Sequence, residues 1–179
     1  MTAPPCILLD RDGVLNRDRP RGVLRPEDLE LLPGAAEAVS RLVRAGYRVL
    51  LITSQSCVGR GWISAPELDA IHDRLREELH AAGGRLDAIY ACLHAPDAGC
   101  ACRKPAPGLI DAARREWGFD PAVTWMVGDD VRDAEAALAA GVRPALVRTG
   151  KGERAVLALP DVPAHDDLAA FVTWLLGEG

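Results

Sequence analysis

Short apolar runs alternate with amphipathic stretches along most of this chain. Residues 6–9 are continuously apolar up to Asp10, and residues 49–52 form a second such run up to Thr53. Unbroken runs of this length, without polar alternation, predict strands buried on both faces. Further runs cover residues 86–92, 123–127 and 145–147. Between them lie helix patterns at 34–45, 65–82, 107–117 and 131–140, each closed by a glycine (Gly46, Gly83, Gly118, Gly141). Ser64-Ala65-Pro66-Glu67 reads as a capping box with proline in the first turn. Pro160-Asp161-Val162-Pro163 predicts a turn, and residues 167–176 a final amphipathic helix.

Strands and helices in alternation imply crossover connections and a mostly parallel sheet covered on both sides, a three-layer α/β sandwich. Ligands gather at the carboxyl ends of such strands. Here those ends carry Asp10 with Asp12, Thr53, Cys92 with His94, and Asp129. No repeat or linker divides the chain, so one domain over residues 1–179 is expected.

Composition narrows the class. The chain is 49% hydrophobic, 26% charged and 4% aromatic, unlike a disordered or a membrane protein. A net charge of −5 argues against a surface built for nucleic acid or anionic lipid. Met1-Thr2-Ala3-Pro4-Pro5 lacks the charged start and apolar core of a secretory signal, so a cytoplasmic protein is expected. Arginine supplies nearly all the positive charge, with lysine only at 104 and 151, asparagine only at 16 and glutamine only at 55. Asn16, Gln55 and Lys104 each fall in a segment already marked by other features.

Asp10-Arg11-Asp12-Gly13 places two carboxylates two residues apart just past a buried strand. Such a pair suits metal binding or nucleophile and acid–base work, and a solvated acidic turn reads the same way. The glycine in fourth position is too early for an EF-hand loop. Gly128-Asp129-Asp130-Val131-Arg132-Asp133 forms a second acidic cluster, where a helix cap is the plainer reading. Together, carboxylates from Asp10 and Asp129 suit Mg²⁺, while Thr53 and Lys104 suit a phosphoryl group. Cys92-Leu93-His94 and Cys100-Ala101-Cys102 bracket a Pro/Gly loop, and three thiolates with an imidazole favour a closed, structural Zn²⁺ site. Folding around that metal would fix Arg103 and Lys104. Gly150-Lys151-Gly152 has no Ser or Thr after the lysine and is no P-loop. His72 and His80 are expected on an exposed helical face, and His165 has no evident partner.

In this order the motifs resemble the haloacid dehalogenase superfamily of phosphohydrolases: Asp10-x-Asp12-Gly13, Thr53, Lys104 and Gly128-Asp129-x-x-x-Asp133. LDRDGVLN, TSQSCVGRG, the Cys-His-Cys-Cys cluster and CRKPAPG are similar to the branch of heptose 1,7-bisphosphate 7-phosphatases and histidinol-phosphatases. The resemblance covers about residues 6–150. It implies a HAD-like fold, Asp10 as nucleophile, Asp12 as acid and base with its carbonyl reaching Mg²⁺, and Asp129 completing that metal site. Thr53 and Lys104 would steady the phosphoryl group, and Asp18, Ser54, Gln55, Ser56, Arg60 and Arg103 would contact substrate. Where the family reads TNQSG, this chain has Thr53-Ser54-Gln55-Ser56-Cys57, and Asp130 adds a negative charge beside the phosphate site. Residues 13–52 and 54–103 leave no room for a separate cap domain. The substrate implied is a small phosphorylated metabolite, first a heptose bisphosphate losing its 7-phosphate, then histidinol phosphate or another phosphosugar. A module that keeps the fold and binds phosphate ligands or protein without turnover is the competing reading. The expected protein acts as a monomer.

Overall fold

The computed structural model describes residues 5–177. The amino-terminal stretch read for a targeting signal lies outside them except for Pro5, as do residues 178 and 179. Six parallel strands, β1 (Cys6–Leu9), β2 (Arg48–Ser54), β3 (Ala88–Cys92), β4 (Trp125–Gly128), β5 (Arg143–Val147) and β6 (Ala164–His165), form one sheet in the order β3-β2-β1-β4-β5-β6. The helices are α1 (Ala35–Arg44), α2 (Ser56–Gly59), α3 (Ala65–Ala81), α4 (Gly108–Trp117), α5 (Val131–Ala139), α6 (Gly152–Ala158) and α7 (Leu168–Leu176).

Strand periodicity assigns the layers. Ile7, Leu9, Val49, Leu51 and Val127 point to one face, where they pack with Val39, Leu42, Leu68, Leu75 and Phe171 of α1, α3 and α7. Leu8, Leu50, Ile52 and Met126 point to the other, against Ile110 and Ala113 of α4 and Ala136 and Ala137 of α5. Both strand faces are thus buried, which is why the runs read as continuously apolar.

Element ends follow local chemistry. The Ser64 hydroxyl accepts from the Glu67 amide at 3.3 Å while the Glu67 carboxylate accepts from the Ser64 amide at 2.7 Å, completing the box that starts α3. Strand β4 begins at Trp125 rather than 123: Asp120 accepts from the Ala122 amide, and Pro121–Val123 becomes a 3₁₀ turn. The short elements α2, α6 and β6 are additional to those read from the pattern.

The sheet order reverses between β1 and β4. Successive connections run outward to β2 and β3 on one side and to β5 and β6 on the other. A crevice opens at the carboxyl ends of strands flanking such a reversal. Register pairs Leu9 with Val127, and the Asp10 amide donates to the Val127 carbonyl at 3.0 Å. Asp10 and Asp129 therefore leave neighbouring strands on the same rim. Residues 13–34 form a flap, pinned at its base by Arg17 N to Glu30 O (2.9 Å) and Leu32 N to Leu15 O (2.9 Å), with Val23 and Leu29 buried beneath it. Flap and loops alone cover the crevice; no separate cap is found among the described residues.

Candidate active site and metal cluster

The crevice is a cleft of about 220 Å³ lined by Asp10, Asp12, Asp18, Ser54, Gln55, Ser56, Arg60, Arg103, Lys104 and Asp129, with the flap tip and Asp133. Thr53 is the one predicted site residue of this group outside that lining. It is buried at the end of β2, where its hydroxyl oxygen accepts from Gln55 Nε2 at 2.8 Å.

Lys104 knits the acids together. Its Nζ lies 2.8 Å from Asp10 Oδ1 and 2.6 Å from Asp133 Oδ1, and donates to the Ile52 carbonyl at 3.0 Å. Burial works against the ammonium, but Asp10 and Asp133 outweigh it and hold its pKa above the ordinary lysine value. Asp133 Oδ2 also accepts from the backbone amides of Asp129 (3.1 Å) and Asp130 (3.0 Å). Asp133 therefore fixes Lys104 and the start of α5 at once, a role the motif spacing alone did not disclose. Asp130 caps α5 through the Arg132 amide and pairs with the Arg132 guanidinium at 2.8 Å, so its charge is directed into that pair.

One lysine does not neutralise the cluster. Burial, then repulsion from Asp133, raises the pKa of Asp10 to about 7; burial, then repulsion from Asp10, raises that of Asp129 to about 8. Carboxylate oxygens of Asp10, Asp129 and Asp133 come within 4.8 Å of one another. Crowded, desolvated oxygen donors short of positive charge fit a hard divalent cation such as Mg²⁺.

Asp129 is held from two sides by bare backbone. The amide of Lys151 donates to its Oδ2 at 2.8 Å, and a Cβ at Gly13 or Gly150, both at positive φ, would lie 2.0 or 2.1 Å from the same oxygen. The Gly150-Lys151-Gly152 loop set aside from the sequence thus joins the site. Lys151 Nζ also reaches Asp18 Oδ2 at 3.2 Å, tying that loop to the flap.

Asp12 is treated differently. Burial works against its charge, but the Arg11 guanidinium and hydrogen bonds from Asn16 (2.8 Å), Gln55 (2.9 Å) and Arg11 hold its pKa below the usual carboxylate range. The cleft also has an anion-seeking side. Ser54 Oγ and Arg103 Nη1 are buried without a hydrogen-bond partner among the described residues. Buried donors of this kind are ordinarily satisfied, so a missing acceptor at this wall is informative. At the mouth, two guanidinium groups approach the Trp62 ring, Arg21 at 5.6 Å and Arg60 at 5.1 Å.

At the end of β3, Cys92, His94, Cys100 and Cys102 converge. Their donor atoms are 3.2–3.6 Å apart where they touch, close to the edge length of a tetrahedron built on Zn–S bonds of about 2.3 Å. The set fits a structural zinc site. The next two residues are Arg103 and Lys104.

A family model described as HAD-hydrolase-like matches residues 101–171. A D-glycero-beta-D-manno-heptose-1,7-bisphosphate 7-phosphatase of Bordetella bronchiseptica is 44% identical over 176 residues, spanning 96% of this chain and 98% of its own. The chain belongs to the HAD-like heptose-bisphosphate phosphatase family. A family member from Pseudomonas putida is 41% identical, spanning 95% of this chain and 98% of its own. The crystal structure of the B. bronchiseptica phosphatase complexed with magnesium and phosphate superposes with a TM-score of 0.94 at 43% identity, covering 98% of this chain and 99% of that one.

Two sequence expectations about histidines change. His72 is buried, 3.3 Å from Arg11 Nη1, because position 72 lies on the Leu68, Leu75, Leu79 stripe of α3 that faces the core. His165 meets the Phe171 ring edge-on and the Trp174 ring at a tilt. Among residues the sequence reading left without a role, Arg11 is the most deeply placed, with no exposed surface.

Proposed function

We propose that this chain is a Mg²⁺-dependent phosphomonoesterase working through an aspartyl-phosphate on Asp10, with D-glycero-D-manno-heptose 1,7-bisphosphate as substrate and the 7-phosphate as the group removed. One observation carries the reading: a single cleft sets an under-neutralised acid cluster against two buried donors, Ser54 Oγ and Arg103 Nη1, that lack an acceptor among the described residues. A bisphosphate with its counter-cation satisfies both sides, the transferring phosphoryl at Ser54 and the remote phosphate at Arg103.

In this reading Asp10, Asp129 and the Asp12 carbonyl would hold Mg²⁺. When bound, the ion supplies positive charge against the phosphoryl oxygens and lets Asp10 stay ionised beside them. Asp10 attacks phosphorus; its Oδ1 is held by Lys104, leaving Oδ2 for the bond. Ser54 and the positive charge of Lys104 steady the transferring oxygens, while Thr53 holds Gln55 from behind the wall. Asp12 is ionised in the free site, and the incoming phosphate dianion disfavours that charge, so Asp12 takes up a proton as substrate binds. It then delivers that proton to the leaving alkoxide and, as carboxylate again, accepts one from the water that releases phosphate. Gln55 and Ser56 line the wall behind the phosphoryl group. Arg103 and Arg60 hold the remote phosphate, which suits the fork geometry of guanidinium. Asp18, paired with Lys151, sets the flap.

Side-by-side kcat/KM values for the heptose bisphosphate and histidinol phosphate, with and without Mg²⁺, test the proposal. A preference for histidinol phosphate removes the substrate and keeps the chemistry; no turnover of either, or of a broad phosphate-ester panel, favours a binding module that has lost catalysis.

A further inference from the structure

Arg11 heads the fully buried side chains by size, and it sits between the two acids of the catalytic turn. Its Nη2 donates to Asp12 Oδ2 at 3.0 Å, Asp12 Oδ1 at 3.1 Å and Gln55 Oε1 at 3.0 Å. Its Nε lies 3.4 Å from Asp12 Oδ1. On the far side, Nη1 lies 3.3 Å from Nε2 of His72, which lines a second, smaller cleft with Asp69, Arg76, Ile89 and Leu93 between α3 and β3.

We propose that His72 is a positioning residue for Asp12, acting through Arg11. The inference rests on the acid–base role given to Asp12 above. A guanidinium cannot shed its proton, so its buried N–H groups need acceptors on every side. Asp12 and Gln55 supply them at one edge, and His72 supplies one at the other. With both edges held, the plane of the guanidinium is fixed, and so is the carboxylate bridged across Nη2. Without the imidazole, Nη1 is left buried and unmatched, and the guanidinium turns toward other acceptors at the expense of Asp12. Nε2 can accept only in a neutral ring. Burial, then the charges of Arg11 and Arg76, lower the pKa of His72 to about 4, against weaker opposing effects of Asp12 and Asp73. Asp69 is the remaining charged group on that cleft.

Leaving-group chemistry separates positioning from packing. An alkyl phosphate needs a proton delivered to its leaving oxygen, whereas the phenolate of para-nitrophenyl phosphate leaves unaided, and kcat/KM reports the step in which that bond breaks. For His72→Leu we expect kcat/KM on the alkyl ester to fall at least about tenfold and on the aryl ester less than about threefold. His72→Gln, whose amide oxygen can accept from Arg11, should recover most of the alkyl rate. Equal losses on both esters, an unchanged alkyl rate, or no recovery in His72→Gln overturn the proposal. Asp12→Asn is measured alongside: if it spares the alkyl ester, the acid–base reading falls and this one with it; if only His72→Leu spares it, this one falls alone. Nitrogen NMR of the wild-type protein gives a reading independent of the variants. An unprotonated Nε2 with the proton on Nδ1 at neutral pH is expected, and an Nε2–H tautomer overturns the assignment.

Discussion

The ammonium nitrogen of Lys104 stands 2.8 Å from Oδ1 of Asp10. The pair is buried, and the same nitrogen serves Asp133 at 2.6 Å, so it is the common counter-charge of two acids. Lys104→Met should destabilise the metal-free protein by about 3–5 kcal/mol, the cost of stranding buried charge, as read by urea unfolding. Added Mg²⁺ should restore part of that loss, and an unfolding midpoint matching wild type would contradict the arrangement.

Asp10→Asn should leave the melting temperature near wild type and lower turnover by at least about 10³-fold, since an amide cannot attack phosphorus. Asp12→Asn should still form the phosphoenzyme but slow both leaving-group protonation and hydrolysis, with kcat down about 10²-fold or more. Rapid-quench trapping of labelled phosphoenzyme distinguishes the two, and wild-type rates in Asp10→Asn would refute the covalent assignment.

Acid should act on stability through His72. Its pKa is lowered to about 4 in the folded protein from an ordinary value of 6.5, so between those values the unfolded chain binds the extra proton. The contribution is fully present above 6.5, is lost as pH falls from there, and levels off below about 4. Asp10 and Asp129, raised to about 7 and about 8, act oppositely: their share is lost as pH rises through those values. The difference in unfolding free energy between wild type and His72→Gln isolates the histidine; a difference that stays constant from neutral pH down to 4 would exclude it.

Purified protein should carry about one Zn²⁺ per chain at Cys92, His94, Cys100 and Cys102, measured by elemental analysis. Cys100→Ser should lower both metal content and melting temperature. If both stay unchanged, the cluster is not a site.

Arg103 lines the cleft, and its Nη1 is buried without a partner among the described residues. Arg103→Ala should cost about 1.5–3 kcal/mol in kcat/KM for the bisphosphate through loss of a charge-assisted contact. Indifference to the substitution would remove the bisphosphate reading while leaving the phosphatase chemistry in place.

What could be read from the chain beforehand follows from where the signal is local. β1, β2 and the start of α3 are written in unbroken apolar runs and in one capping box, so their positions were legible within a residue or two. The start of β4 was misplaced because Val123 is apolar yet 54% exposed, and only the Asp120 cap reveals the turn. β6 and α6 are too short to carry a period. At the site, the acids and Lys104 announced themselves by spacing. Arg11 did not, because a charged residue between two aspartates reads as solvated until its partners, 44 and 61 positions away, are brought to it by the fold. Lys151 was visible as one of two lysines, but its contribution comes from a backbone amide, which no residue type encodes. His72 was legible in principle, since 68, 72, 75 and 79 make one helical stripe.

The two glycines that wall Asp129 leave it a single place to be. A side chain at either Gly13 or Gly150 would run into the Asp129 carboxylate, so neither glycine can gain a Cβ without displacing that acid. Substitution at either glycine would therefore disturb the acid itself, whereas the outer contour of the site lies apart from it. The flap, anchored by Val23 and Leu29 but otherwise rimmed with arginines, is free of that constraint. A change there alters what reaches the acids while leaving their arrangement as it is.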